Sequence, residues 1–327
     1  MILAGDIGGT KTNLALYELT NAGLELQFTK QYSSQAYEDF LEIFEDFFAQ
    51  SGVHIIEALC LGIAGPIING VCKTTNLPWV IETTKLQEFC KTKKVRLLND
   101  LEATAYGMLY LGEEEFVDIN PNAVSVAANR AVIAAGTGLG EAMLYYDGAN
   151  YHPIGSEGGH CDFAPLNPLQ DELLVWMRKR HSDHVSVERL VSGDGVGTIY
   201  AFLKERGGFE EPEAVKNATV GEDINAIISK CALEEKDALS LATMNLFVEI
   251  YGAEAGNLAL KSLSLGGVYI GGGIAPKILP FLEDGIFLKA FVSKGRFASM
   301  LSKMSIKISL NQNTALQGAA HFCVDGF

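Results

Sequence analysis

The chain has 327 residues, of which 48% are hydrophobic, which is enough apolar material for one large or two ordinary domains and excludes a disordered protein. A net charge of −15 argues against general binding to nucleic acids or to anionic membranes, both of which attract basic surfaces. No apolar stretch of the sequence approaches the roughly 20 residues of a membrane-spanning helix. Six widely spaced cysteines without a CxxC pair indicate free thiols, and we expect a cytoplasmic protein.

A glycine-rich turn joins the first two predicted strands. Residues 2–5 form a short apolar run, residues 13–19 are predicted as a second strand, and residues 24–29 alternate apolar and polar side chains as a half-buried strand does. The turn reads Asp6-Ile7-Gly8-Gly9-Thr10-Lys11-Thr12-Asn13. Consecutive glycines allow close approach of the backbone to a ligand, so that N–H groups and hydroxyls can converge on a phosphate. A P-loop or a dinucleotide-binding turn runs into a helix instead, so this turn indicates another kind of phosphate site.

The next predicted elements alternate between helix and strand. They are a helix over 37–50, a strand over 58–64, a strand over 95–98 and a helix that continues through residue 108. Asn99 and Asp100 lie where a buried strand meets a helix, and α/β folds commonly carry their chemistry at such places. Both residue types also cap helices, and capping and catalysis are compatible at this position.

A second glycine turn repeats the topology of the first. Predicted strands over 131–135 and 141–146 flank the turn, and a third strand begins at residue 151. The turn reads Gly136-Thr137-Gly138-Leu139-Gly140. Two such turns in similar settings predict a cleft that holds nucleotide phosphates from both sides, whereas two unrelated hairpins are the alternative.

Glu157 and His160 flank two glycines, which we expect to make room for the imidazole ring. A carboxylate and an imidazole on one face suit a sugar, whose hydroxyls both donate and accept hydrogen bonds. Two alternatives remain at this stage. A metal site could also recruit His152, Cys161 or Asp162, although the spacing matches no standard zinc pattern, and the loop could be purely structural.

The rest of the chain continues the alternation. Helices are predicted over 172–180, 187–191, 239–260 and 276–282, and strands are predicted over 266–270 and 306–310. Asn313 and Thr314 can cap a final helix. Alternating strands and helices, with a meander at the start of each half, predict an α/β fold with mixed sheets.

Taken together, the motifs resemble those of one family. In chain order they are Asp6 to Thr10, Leu98-Asn99-Asp100, Gly136 to Gly140, Glu157 to Pro165, Glu188 to Gly193 and Gly271-Gly272-Gly273, followed by Lys294 to Phe297 and Asn313 to His321. Each motif alone is weakly specific, but their order and spacing resemble bacterial ATP-dependent glucokinases, within the sugar kinase, Hsp70 and actin superfamily. The resemblance covers nearly the whole chain.

This resemblance implies an architecture, a substrate and an oligomeric state. The fold would consist of two ribonuclease-H-like domains, each with mixed sheets flanked by helices, and an interdomain active-site cleft. The small domain would contain residues 1–110 and 300–327, and the large domain residues 111–299. The substrate would be D-glucose and the protein a homodimer. The remaining alternatives are a kinase for another hexose, a non-catalytic sugar sensor and an ATPase that uses no sugar.

The resemblance also implies roles for individual residues. Asp100 would be the general base, and Asp6 would lie near Mg²⁺, through water. The residues assigned to glucose are Asn76, Asn99, Asp100, Glu157, His160 and Glu188. The residues assigned to ATP are Asp6, Gly8, Gly9, Thr10, Lys11, Thr12, Gly136, Thr137 and Gly138, with Gly271 and Gly272 near the adenosine.

Overall fold

The structure is a computed structural model that describes residues 1–53, 55–74, 77–219 and 221–326. The strands in these ranges are β1 (Ile2–Ile7), β2 (Lys11–Thr20), β3 (Gly23–Ser33), β4 (Ala58–Ile63), β5 (Ile67–Ile68), β6 (Val71–Lys73), β7 (Val80–Glu82), β8 (Val95–Asn99), β9 (Phe116–Asp118), β10 (Arg130–Ala135), β11 (Leu139–Tyr146), β12 (Tyr151–Ser156), β13 (Val268–Gly271) and β14 (Ile306–Ser309). The α-helices are α1 (Phe40–Ser51), α2 (Thr83–Cys90), α3 (Asp100–Gly107), α4 (Pro168–Arg178), α5 (Gly193–Arg206), α6 (Glu213–Lys216), α7 (Ile224–Lys230), α8 (Ala238–Ser262), α9 (Leu279–Glu283), α10 (Ile286–Val292), α11 (Ala298–Leu301) and α12 (Thr314–Asp325). The predicted α/β class with mixed sheets is confirmed, and so are both predicted strand, turn, strand, turn, strand sequences.

The chain forms two compact units. Unit 1 contains Met1–Glu115, Ala142–Gly155 and Asn311–Phe327, and unit 2 contains Phe116–Glu141 and Ser156–Leu310. The domain boundaries expected from the resemblance stay a prediction. None of the helices in the described ranges is both long and apolar enough to cross a membrane.

The main sheet of unit 1 brings three strand ends to one edge. Its order is β3-β2-β1-β4-β8, in which β1 to β3 are the predicted antiparallel meander and β4 and β8 run parallel to β1. The register aligns Asp6 with Gly62 and Ile63 with Asn99. Neighbouring strands lie about 4.8 Å apart, so Asp6 and Asn99 end up roughly 10 Å apart across this edge. The first glycine turn and the Asn99-Asp100 pair therefore share one side of the sheet.

Helices cover both faces of this sheet. On one face α1 buries Phe40, Ile43, Phe44 and Phe47, and each such side chain contributes about 1.5–3 kcal/mol of burial free energy. α1 begins three residues later than predicted because the Asp39 side chain accepts a hydrogen bond from the Leu41 N–H at 2.8 Å. On the other face, α3 and α12 pack against the sheet and against each other.

Unit 2 contains strands β10, β13 and β14 side by side in parallel, with β9 antiparallel to β14. The 25-residue helix α8 packs on β10, as predicted to within two residues at each end. The buried Tyr251 of α8 accepts a hydrogen bond at 3.3 Å from the N–H of Ala135, the last residue of β10. α8 therefore supports the point at which the second glycine turn begins.

The predicted helix over 187–191 is wrong. Only Val187–Arg189 form a 3-10 turn, and the α-helix α5 begins at Gly193. Leu190 N donates to Val187 O at 2.9 Å in the 3-10 pattern, and the Val187 N–H donates to the Cys161 carbonyl at 3.0 Å. The Ser192 side chain then accepts from Gly195 N at 3.2 Å and caps α5, which proceeds through three glycines despite their low helix propensity.

Three smaller differences between the predicted and the observed helices concern where the helices begin and how they are capped. α4 begins at Pro168 and not at 172, because Asn167 caps it by accepting from Gln170 N at 3.1 Å. The predicted helix over 276–282 divides into a 3-10 turn, Ala275–Ile278, and α9. Asn313 occupies the N-cap position of α12 without a capping side-chain hydrogen bond.

The contact between α3 and α12 depends on a glycine. A Cβ atom on Gly318 would overlap the carbonyl oxygen of Ala103. We expect Gly318→Ala to destabilise the protein by about 1–3 kcal/mol, although alanine in an ordinary helical position is about 1 kcal/mol more favourable than glycine. Urea unfolding monitored by circular dichroism measures this change.

The control for that substitution is Gly197→Ala in α5. The added Cβ would meet only the flexible end of the Asn225 side chain, at 2.6 Å, so this variant should be neutral or stabilising. Equal stability changes in the two variants would contradict the argument from helix packing.

Candidate active site

Hydrogen bonds from buried hydroxyl groups stabilise the first glycine turn. Gly8 N donates to Lys11 O at 2.9 Å, and the Ser34 hydroxyl donates to Gly8 O at 2.8 Å. Thr12 is buried, with its hydroxyl 3.0 Å from that of Ser34, whereas Thr10 and Lys11 are exposed. The two exposed side chains are thus accessible to a ligand, and Thr12 stabilises the turn.

Asp6 lies at the end of β1 in a setting that suits a cation. Burial raises the pKa of its carboxyl, and the Asn13 amide donates a long hydrogen bond of 3.4 Å to it. A neighbouring cation would offset the desolvation of the carboxylate and lower this pKa. Mg²⁺ is bound by oxygen ligands and keeps several waters, and the carboxylate of Asp6 provides such oxygens. The residues at this turn therefore fit a magnesium ion.

Asn99 and Asp100 form the start of α3. Asn99 does cap the helix: its Oδ1 accepts from Leu101 N at 2.9 Å, and its own N–H donates to Glu102 at 2.9 Å. Its amide nitrogen also donates to Gly65 O at 3.2 Å. Asp100 is half-buried at the first helical position, where its carboxylate accepts from Leu101 N at 3.0 Å. Capping and catalysis remain compatible, because the N-cap of α3 is the side chain of Asn99 and Asp100 is the first helical residue.

Gly62 explains how α3 comes so close to this sheet edge. A Cβ atom on Gly62 would lie 2.8 Å from that of Ala103, so a larger residue would displace the beginning of the helix. Gly62 is the register partner of Asp6 in β1. The N-terminus of α3 is thereby placed beside the first glycine turn, and helix N-termini favour anionic ligands. Asn76, also assigned to glucose, lies outside the described residues.

The second glycine turn of unit 2 meets two other glycine segments. Gly136 N donates to Gly138 O at 2.8 Å, and Gly193 N of α5 donates to Gly136 O at 2.8 Å. Gly272 follows β13 with φ of 83°, and a Cβ atom there would overlap Ala135 O. The structure thus brings Gly136, Gly138, Gly271 and Gly272 together, with Thr137 exposed. Gly193 was missed, although Ser192 before it is a recognisable N-cap.

Glu188 connects this turn to the segment 157–163, which we call the 157–163 loop. One carboxylate oxygen of Glu188 accepts from Leu139 N at 2.9 Å, and the other lies 3.8 Å from Nδ1 of His160. A Cβ on Gly138 would lie 2.5 Å from the same carboxylate. Glu157 and His160 are exposed. The structure therefore brings His160 and Glu188 together beside the second turn.

Gly158 and Gly159 are required for a different reason from the expected one, which was space for the imidazole ring. A Cβ atom on Gly159 would overlap Leu139 O, and one on Gly158 would overlap the carboxylate of Glu141. They allow the loop to pack against β11, and making room for the imidazole ring is not what requires them. Glu141 itself was missed, although a carboxylate within an apolar strand is a visible signal in the sequence.

The metal alternative for this loop finds no support in the part of the chain that the structure describes. No three His, Cys, Asp or Glu side chains there are grouped so that they could hold a metal ion. His152 instead pairs with Asp147 at 2.7 Å across a hairpin of unit 1. All six cysteines are free thiols, and Cys161 is the exposed one.

Comparison with known proteins places the chain among kinases. The glucokinase family profile matches residues 3–325. A curated glucokinase from Nostoc punctiforme is 40% identical over 98% of this chain and 98% of its own length. A curated glucokinase from Caulobacter vibrioides is 33% identical over 97% of this chain and 93% of its own length. The crystal structure of a glucokinase from an Antarctic psychrotroph has a TM-score of 0.85 at 29% identity, with 99% of this chain and 98% of that chain covered.

A more distant structure shares the fold. A ROK-family glucokinase from Streptomyces griseus, crystallised with glucose and AMPPNP, has a TM-score of 0.67 at 18% identity, with 99% of each chain covered. The family resemblance inferred from the order of the motifs is confirmed. The chain belongs to the glucokinase family.

Proposed function

We propose that the protein transfers the γ-phosphoryl group of ATP to the 6-hydroxyl group of D-glucose and releases glucose 6-phosphate and ADP. The observation that carries this proposal is the family match over residues 3–325, together with 40% identity to a curated glucokinase over 98% of the chain. The glycine turns and the polar groups described in each unit support this proposal. The protein would act as a homodimer in the cytoplasm.

The two glycine turns bind the phosphates of ATP. In unit 1, Gly8, Gly9, Thr10 and Lys11 present backbone N–H groups and exposed side chains at the end of β1, while Thr12 holds the turn from behind. In unit 2, the corresponding ligands are Gly136, Thr137 and Gly138, with Gly271 and Gly272 near the adenosine. Asp6 would hold Mg²⁺ through water, and the bound ion would supply positive charge that offsets the charge of the phosphates.

Asp100 accepts the proton of the 6-hydroxyl group. The hydroxyl oxygen then forms a bond to the γ-phosphorus, the bond between this phosphorus and the bridging oxygen breaks, and its electron pair leaves with ADP. Most of the rate enhancement in phosphoryl transfer comes from positioning and charge stabilisation. The rigid start of α3, fixed by the hydrogen bonds of Asn99, supports the precise placement of Asp100.

The glucose hydroxyls are held by polar groups of both acceptor and donor character. Glu188 and His160 lie side by side in unit 2, and Glu157 is exposed in the same loop. The side-chain amide of Asn99 carries two N–H groups. One donates to the Gly65 carbonyl, and in this proposal the other donates to a sugar hydroxyl. Asn76 completes the proposed set.

The direct test measures sugar-dependent ADP release with ATP and Mg²⁺ in a coupled assay. We expect strong turnover with glucose and a lower kcat/KM with mannose, fructose or N-acetylglucosamine. A higher kcat/KM with another hexose would change the assigned substrate from glucose to that sugar, and the assignment as an ATP-dependent sugar kinase would stay. ATP hydrolysis that is indifferent to every sugar would contradict the proposal and favour the ATPase alternative.

A further inference from the structure

His184 has no role in the assignments above, yet it contacts the 157–163 loop through both ring nitrogens. Its Nε2 lies 2.7 Å from the carbonyl oxygen of His160, and its Nδ1 lies 3.0 Å from Oδ1 of Asp162. A carbonyl can only accept a hydrogen bond, so the contact at His160 is a hydrogen bond when Nε2 of His184 carries a proton. His184 thereby contacts the backbone of His160, the residue whose imidazole is assigned to glucose.

We infer that the polar contacts with His160 and Asp162 orient the ring of His184. Its side chain is 46% exposed and forms part of the wall of a cavity of about 280 Å³. Phe163, Arg178 and His181 line other parts of that cavity. Because the cavity leaves the ring room to move, its orientation depends on the acceptors at His160 and Asp162.

The rest of the loop is attached elsewhere along its length. Phe163 N donates to Val185 O at 2.9 Å, and Val187 N donates to Cys161 O at 3.0 Å. Both bonds connect the loop to the segment that continues into Glu188, but both lie beyond residue 160. The contact from His184 extends this attachment to the carbonyl oxygen of His160. Nδ1 of the same His160 lies 3.8 Å from Oε1 of Glu188.

We propose that His184 is a positioning residue for glucose binding, which acts by holding the His160 backbone so that the imidazole stays beside Glu188. The inference rests on the proposed contact of His160 with glucose. His184 itself touches neither substrate. Its removal should therefore change the affinity for glucose and leave the affinity for ATP unchanged.

The test is a double-mutant cycle measured in the full-length enzyme with glucose and ATP as variable substrates. We expect His184→Ala to raise the glucose KM about tenfold, the size of one lost hydrogen bond, with kcat and the ATP KM changed less than twofold. In the His160→Ala background the same substitution should raise the glucose KM less than twofold, because His184 acts through His160. Direct glucose binding by calorimetry should follow the same pattern.

Two further variants complete the design. His184→Gln retains an amide donor that can reach the His160 carbonyl, and it should recover at least part of the lost glucose affinity. His152→Ala removes another exposed histidine paired with an aspartate, in unit 1, and should leave all kinetic constants unchanged. Both variants should give the circular dichroism spectrum of the parent protein.

The outcomes separate the inference from the proposal on which it rests. A full tenfold effect of His184→Ala in the His160→Ala background would overturn the positioning role alone. An unchanged glucose KM in His160→Ala would overturn the assignment of His160 to glucose and the inference with it. Equal losses of glucose and ATP affinity in His184→Ala would indicate a general structural role and would also overturn the inference.

Discussion

Asp100→Asn is expected to lower kcat by about 10²–10⁴-fold, the usual contribution of a general base, with little change in the binding of ATP. Asparagine retains the size and an acceptor oxygen of the side chain, but it cannot take up the proton of the sugar hydroxyl. The helix should persist, because its cap is the side chain of Asn99 and its capping box uses Glu102. Steady-state kinetics with equilibrium binding of both substrates measure the effect.

The matched control for this variant is Asp39→Asn. Asp39 is an aspartate at the beginning of another helix of unit 1, where its side chain accepts from Leu41 N. Asparagine caps helices about as well as aspartate, so kcat should be unchanged. If kcat of Asp100→Asn stayed within fivefold of the parent value, the assignment of Asp100 as general base would be wrong.

The free energy of unfolding should fall by about 3 kcal/mol as the pH rises from 4.5 to 7, because of Glu141 alone. Burial, and then the neighbouring Glu254, raise the pKa of Glu141 to about 7 from its ordinary value of 4.5. Glu141 is 1% exposed, and within the described residues its Oε1 has no hydrogen-bond partner. Each pKa unit of difference between the folded and unfolded states corresponds to about 1.36 kcal/mol.

The sign follows from which state binds the proton. Below pH 4.5 both states carry it, and the full stability is present. Between pH 4.5 and 7 the folded state retains the proton and the unfolded state releases it, so stability decreases with pH. Above pH 7 both states are ionised and this contribution is lost completely.

Glu141→Gln should remove this pH dependence, because the amide is neutral at every pH and has nearly the same volume. The measurement is the free energy of unfolding in urea at pH 5 and pH 8, compared between the variant and the parent. Glu283→Gln, which alters an exposed carboxylate in α9 of the same unit, should leave the dependence in place. Parallel pH profiles for Glu141→Gln and the parent protein would show that Glu141 does not titrate in this range.

Local patterns in the sequence were enough for much of the fold. Residues 13–19 were predicted as β2, the alternation in residues 24–29 predicted β3, and the apolar spacing of Phe40, Ile43, Phe44 and Phe47 predicted α1. Such periods depend only on residues close together in the chain, so they can be recognised without tertiary information. The wrong helix over 187–191 shows the opposite case, since this segment forms only a 3-10 turn and is tied by Val187 N to the distant Cys161 carbonyl.

The sequence by itself determined the α/β class, the family and the residue types of the candidate site, because these depend on motifs whose order can be seen along the chain. Only the tertiary structure decided that parallel β1, β4 and β8 bring Asp6 and Asp100 to one edge. It also decided that Glu188 reaches the second glycine turn and that His184 holds the backbone of His160. These contacts join residues between 24 and about 100 positions apart, and no local period specifies which strands pair or which loops meet.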